Sequence, residues 1–244
     1  MTEGDHSKKG DEIEVSPNVN LTALVDGFRK EYGIHRIVAF SGGSDNRPDG
    51  IDDPDLEKSI IEALRQKEQH IIAQAVQRLQ GYGIAILCGG TKWGVPNTAA
   101  QEARKVGLTT IGVYPFTGKK HALGPEILDL RICVEPELGT SRWGDESSIF
   151  AKLLDGVIVY GGSAGTLVEI AHILKMNESI IDKCGEPKFI VPISGSGGVA
   201  DGLPFVWGKP RVKAVSIPTE TITSGYRAAE LLIERLNIAD FFEL

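Results

Sequence analysis

The 244-residue chain has no dense basic run, and its formal net charge is −7. A protein that grips nucleic-acid backbone needs a cationic face, because phosphate neutralisation supplies most of the affinity. Nucleic acid is therefore not an expected partner. No apolar stretch reaches the roughly 20 residues of a membrane-spanning helix, and the N-terminus is polar and charged rather than signal-like. Cysteine is scarce: Cys88, Cys133 and Cys184 stand far apart, with no C-x-x-C pair. Cys88 and Cys133 lie in apolar runs, where a buried, inert thiol is expected, and such usage suits a reducing compartment. The cytoplasm is the expected location, and no membrane partner is expected. Two familiar phosphate-binding motifs are also missing. There is no G-x-x-x-x-G-K-[ST], and no G-x-G-x-x-G stands between the first strand and helix. ATPase and dehydrogenase readings lose their main support.

What the chain does have is glycine, 29 residues of it, gathered at the ends of apolar runs. An apolar fraction of 41% and an aromatic fraction of 7% suit a globular core. Residues 1–20, rich in charge and poor in apolar anchors, read as a flexible leader, and residues 21–244 as a single domain. From there, short β-branched runs alternate with amphipathic helical stretches, as in repeated βα units. The predicted strands are 36–40, 84–88, 110–114, 130–134, 156–160, 188–192 and 213–217. Long helices are predicted at about 55–80 and 224–236, with shorter ones opening near Pro96, Glu146 and Leu167. The expectation is an α/β fold: a Rossmann-like, doubly wound, mainly parallel sheet of about seven strands flanked by helices.

Four of these runs end in glycine-rich turns, after Phe40, Cys88, Tyr160 and Ile193. In an open parallel sheet, ligands bind outside the carboxyl ends of the strands, at the topological switch point. Glycine there lets backbone N–H groups close on a phosphate while the next helix presents its positive end. The plainer explanation is that glycine only permits tight turns. Ligand contacts are expected from Gly42, Gly43, Ser44 and Arg47 in the first loop, and from Gly89, Gly90, Thr91 and Gly94 in the second. A third set is Gly161, Gly162, Ser163, Ala164, Gly165, Thr166 and Glu169.

The run Gly161–Glu169, GGSAGTLVE, resembles the P-G-G-x-G-T-x-x-E signature of the LOG proteins, nucleoside monophosphate phosphoribohydrolases long mislabelled as lysine decarboxylases. Cys88–Val95, CGGTKWGV, resembles their second glycine motif and, more closely, the GGT-x-x-GV segment of TRPM channel ligand-binding regions and their prokaryotic counterparts. These families share the SLOG superfamily, and the resemblance covers about residues 34–236. It implies a protein that binds nucleotides or NAD-derived ligands, commonly as a homodimer with sites near the subunit contact. Two positions depart from the LOG signature: Gly161 replaces its proline and Ser163 its second glycine. The resemblance also implies a catalytic arginine on the helix before the signature strand. That place falls near Glu146, and Arg142 is the closest arginine.

Thr166 and Glu169 also spell T-x-x-E, a capping box that would simply start a helix. Trp93 suits either base stacking or a subunit contact, and Lys92 either a phosphate or solvent. His35, His121 and His172 lack metal-ligand spacing, and no metal or cofactor is expected. Three functional readings follow. The first is a module that binds an ADP-ribose-like, NAD-like or other phosphorylated nucleotide without turnover. The second is N-glycosidic cleavage of a nucleoside 5′-monophosphate, with Glu169 and Arg142 as the catalytic pair. The third is carriage of a phosphorylated cofactor, such as molybdenum cofactor.

Overall fold

A computed structural model describes residues 10–16, 20–43, 53–137, 139–183, 185–203 and 209–238. Seven strands form one sheet: β1 (Asp11–Val15), β2 (Arg36–Gly42), β3 (Ile84–Cys88), β4 (Thr109–Pro115), β5 (Leu130–Val134), β6 (Gly156–Tyr160) and β7 (Phe189–Pro192). Their order across the sheet is β1-β5-β4-β3-β2-β6-β7, and every pairing is parallel. The helices are α1 (Leu21–Tyr32), α2 (Pro54–Leu79), α3 (Gly94–Lys105), α4 (Ser147–Leu153), α5 (Ala164–Asp182), α6 (Gly198–Gly202), α7 (Pro210–Ser216) and α8 (Gly225–Arg235). A 3-10 turn covers Phe116–His121.

The central strands are apolar on both faces, and β3 and β6 are buried along their whole length. Alternation of side chains along β2 sends Ile37 and Ala39 to one core and Val38 and Phe40 to the other. The first core is covered by α1, α4, α5 and α7, the second by α2, α3 and α8. From β2 the chain steps outward through β3 and β4 with α2 and α3 on one face. From β6 it steps the other way to β7, with α5 on the opposite face. Right-handed crossovers demand that change of face when the direction reverses. The reversal lies between β2 and β6, which pair from Val38–Gly156 to Gly42–Tyr160.

The sheet has the expected seven strands, but the set differs at both ends. Asp11–Val15, inside the presumed leader, pairs with Leu130–Val134 as an edge strand. Its DEIEV pattern alternates charge with apolar residues, as a half-exposed edge allows. In the 213–217 run, residues 213–216 are helical, in α7, and Ile217 is its extended C-cap, so no strand forms there. Pro210 occupies its first turn, and Val212 and Ser216, four residues apart, are the buried face.

Candidate functional site

At the carboxyl ends of β2 and β6, where an open parallel sheet leaves a crevice at its switch point, stand the turn Gly161–Ser163 and the start of α5. Tight contacts explain several of the glycines here. A Cβ on Gly42 would lie 2.3 Å from Tyr160 O and 2.6 Å from Val95 Cγ2, so β2 meets both β6 and α3 only as glycine. Gly161 and Gly162 have φ of +59° and +95°, and Gly198, at +53°, would place a Cβ 2.2 Å from Gly162 O. The turn is held from behind. Gly161 N–H donates to Ser196 Oγ at 2.9 Å, and Val199 and Ala200 N–H donate to the Gly162 and Gly161 carbonyls at 3.0 Å.

Helix α5 starts at Ala164, with Ser163 as its N-cap and no side-chain cap. The capping-box reading of Thr166 and Glu169 therefore fails, because both residues lie inside the helix. The first intrahelical bond comes from Leu167 N–H to Ser163 O at 3.0 Å. The N–H groups of Ala164, Gly165 and Thr166 have no acceptor among the described residues, as expected for an uncapped first turn. Ser163, Ala164 and Gly165 are exposed, whereas Thr166 is buried.

Glu169 lies roughly 7.5 Å further along the axis than Ala164, at about 1.5 Å per residue. It is partly buried and accepts a short hydrogen bond from the hydroxyl of Ser41, itself 2% exposed on β2. Burial pushes the Glu169 carboxyl up to about 8; the Ser41 hydrogen bond opposes that rise, and the nearby Glu146 carboxylate adds to it. At neutral pH the group is mostly protonated and can donate a hydrogen bond. Glu146 is also raised, chiefly by burial, against hydrogen bonds from its own N–H and that of Gly144. Its Oε2 accepts from Gly144 N–H at 2.8 Å. Cys88, at the end of β3, is pushed up to about 12, chiefly by burial, with Glu169 adding. It is a buried free thiol, as is Cys133; Cys184 lies outside the described residues.

The fold brings Gly42, Gly43, Gly94 and the Gly161–Glu169 run to one end of the sheet. Val95 N–H donates to Gly43 O at 3.0 Å, joining the first loop to α3. Gly94 is the first residue of α3, at φ +53°. Gly89, Gly90 and Thr91 follow β3, and the last two are joined to the 122–123 stretch. Gly90 O accepts from Leu123 N–H at 2.8 Å, and buried Thr91 bridges Ala122. Trp93 packs on His121 with ring centroids 4.6 Å apart. Ser44 and Arg47 lie outside the described residues. Arg142 is exposed, and its guanidinium makes no hydrogen bond or ion pair among them; only its backbone is engaged, its N–H donating to Asp145 Oδ2 and its carbonyl accepting from Asp145 N–H. Glu146 occupies the place where the LOG signature implies an arginine. Its carboxylate role was not anticipated. No group of three or more His, Cys, Asp or Glu residues suited to a metal occurs among the described residues.

The profile of the SLOG cluster4 family matches residues 60–184, from within α2 past the end of α5. The chain belongs to the SLOG cluster4 family. No curated protein matches the sequence. Among solved structures, this SLOG protein is similar to a structural-genomics target at 21% identity, covering 82% of this chain and 99% of that one, with a TM-score of 0.57. It is similar to the molybdenum cofactor binding protein of the phototrophic bacterium Rippkaea orientalis at 20% identity, with 83% and 97% coverage and a TM-score of 0.53. The molybdenum cofactor carrier protein of Chlamydomonas reinhardtii gives 19% identity, 83% and 98% coverage, and a TM-score of 0.54. At these identities the likeness concerns the fold. No helix among the described residues is long and apolar enough to cross a membrane.

Proposed function

We propose that this SLOG protein binds a phosphorylated nucleotide-type ligand at the β2–β6 switch point without cleaving it. The observation that carries this reading is the uncapped first turn of α5, whose three N–H groups are unengaged among the described residues and follow directly on the Gly161–Gly162 turn. Such a turn holds an anionic oxygen through N–H donors and the helix dipole. One to two turns deeper, protonated Glu169 donates to a ribose hydroxyl. The Glu146 carboxylate beside it gives no cation to stabilise a developing negative charge or a 5′-phosphate at that depth, which argues against turnover. Binding as a homodimer belongs to the same proposal.

A second reading has one observation in its favour. A carboxyl held near 8 carries a proton at neutral pH, as a general acid in N-glycosidic cleavage requires. The likeness to molybdenum cofactor carriers supports a third, carriage of a phosphorylated cofactor. Incubation with AMP, NAD and ADP-ribose, read by thermal shift and by chromatography, separates these. A ligand-specific rise in Tm without product supports binding alone. Release of free base, abolished in Glu169→Gln, establishes the hydrolase.

A further inference from the structure

Three large aromatic side chains stand exposed around one short turn. Phe116, the first residue of the 3-10 turn after β4, is 49% exposed. Trp143 is 56% exposed, and its ring lies against the same turn, 3.0 Å from where a Cβ on Gly118 would stand. Trp93 is 43% exposed and packs on His121, the last residue of the turn, with ring centroids 4.6 Å apart. At about 2.0 Å of rise per residue, positions 116, 118 and 121 fall within roughly 10 Å of one another. The stretches that carry the two tryptophans are tied to the turn. Lys92 N–H donates to His121 O at 3.1 Å, and Thr117 N–H donates to Ser141 Oγ at 3.0 Å. Tryptophan is highly buried on average. Exposed apolar surface gathered in one place and rimmed by polar groups marks a site of protein contact.

A cation without an ion pair among the described residues accompanies each ring: Lys92 next to Trp93, Arg142 next to Trp143, and Lys120 on the turn with Phe116. Lys119, by contrast, is held by Glu12 and Glu14 at 2.6 and 2.7 Å. A cavity of about 920 Å³ opens beside Phe116, with Glu135 the one carboxylate on its described wall. The chain as a whole carries −7. At physiological ionic strength, exposed charges more than about 8 Å away are largely screened, so the local cations decide what docks. Three cations are few for a nucleic-acid backbone, whose affinity comes from many phosphate contacts. Exposed aromatic rings with an arginine among them have the composition of a protein-contact hot spot.

We infer that this face docks an acidic segment of a partner protein. An aromatic or aliphatic side chain of that segment enters the cavity beside Phe116, and its carboxylates meet Lys92, Lys120 and Arg142. The surface stands whatever the switch point binds. Its test is selection of a random peptide library, displayed on phage, against the full chain, followed by fluorescence polarisation with labelled synthetic copies of the enriched peptides. The expected peptides carry Asp and Glu around an apolar residue and shift the tryptophan emission to the blue on binding. Phe116→Ala and Trp143→Ala each lower their affinity at least tenfold. The double variant Lys120→Glu with Arg142→Glu, which keeps every ring in place, abolishes binding without changing Tm. No enrichment, enrichment of basic or uncharged peptides, or equal affinity in the charge-reversed variant overturns the proposal. Tighter binding of a single-stranded oligothymidylate than of the peptides overturns it in favour of nucleic acid. A wild-type dimer that the ring variants convert to monomers in sedimentation overturns it in favour of a contact between copies.

Discussion

Replacing Glu169 by glutamine tests the electrostatics of the crevice through stability alone. In the unfolded chain the carboxyl titrates near 4.5, and in the folded protein near 8. Between those values the unfolded state has released a proton that the folded state keeps, so stability falls as pH rises. Below pH 4.5 both states are protonated and the effect vanishes; above about 8 it is complete and constant. At about 1.4 kcal/mol per unit, the full shift is worth up to about 5 kcal/mol. Glutamine cannot titrate but can still accept the Ser41 hydroxyl. The difference in unfolding free energy, Gln variant minus wild type, therefore grows more positive from pH 5 to pH 8 and then levels off. Glu146, also raised, contributes to both proteins and largely cancels. Urea unfolding of the two proteins at unit steps from pH 5 to pH 9 measures this directly. Parallel stability curves across that range would refute the argument.

Ser41→Ala removes the donor that favours charged Glu169, so the pH-dependent loss of stability extends above pH 8 in the same urea experiment. Gly198→Ala puts a Cβ 2.2 Å from Gly162 O at a φ of +53°, and strain of at least about 1–3 kcal/mol is expected. Its urea midpoint falls, and any anion-induced thermal shift weakens because the Gly161–Gly162 turn moves. Asp129, 2% exposed, accepts from Arg104 at 2.9 Å and from Thr110 N–H at 2.9 Å; Asp129→Ala costs about 3–5 kcal/mol in chemical denaturation, as for a broken buried pair. Asn177 is fully buried and holds both backbone groups of Lys188 and the Ser216 hydroxyl at 2.8 Å. Asn177→Ala costs about 1–3 kcal/mol for each group left unpaired, read as a lowered thermal midpoint.

The inner strands were legible because burial on both faces leaves an apolar run, unbroken at 84–88 and 156–160 and interrupted only by Arg131 at 130–134; these coincide with β3, β6 and β5. The edges were not. In DEIEV, charges alternate with apolar residues because one face and one edge meet solvent, and composition alone resembles a leader. The segment at 213–217 carries β-branched residues, and only its packing against the first core shows that Val212 and Ser216 share a helical face. Glycine clustering was legible at the carboxyl end of the sheet, since turn chemistry and close backbone approach are local properties. It did not distinguish the Gly161–Gly162 turn beside open N–H groups from Gly90, whose carbonyl is taken by Leu123. Glu146 was a position without a role, because its charge reaches Glu169 only through the way the stretch before α4 folds.

The central claim is that the first turn of α5 receives the anionic part of a ligand. Backbone amide NMR during titration with inorganic pyrophosphate tests it most directly. The account predicts saturable shifts at Ala164, Gly165 and Thr166, with smaller ones at Gly161 and Gly162. Unmoved resonances at those three residues, with or without shifts elsewhere, would contradict it.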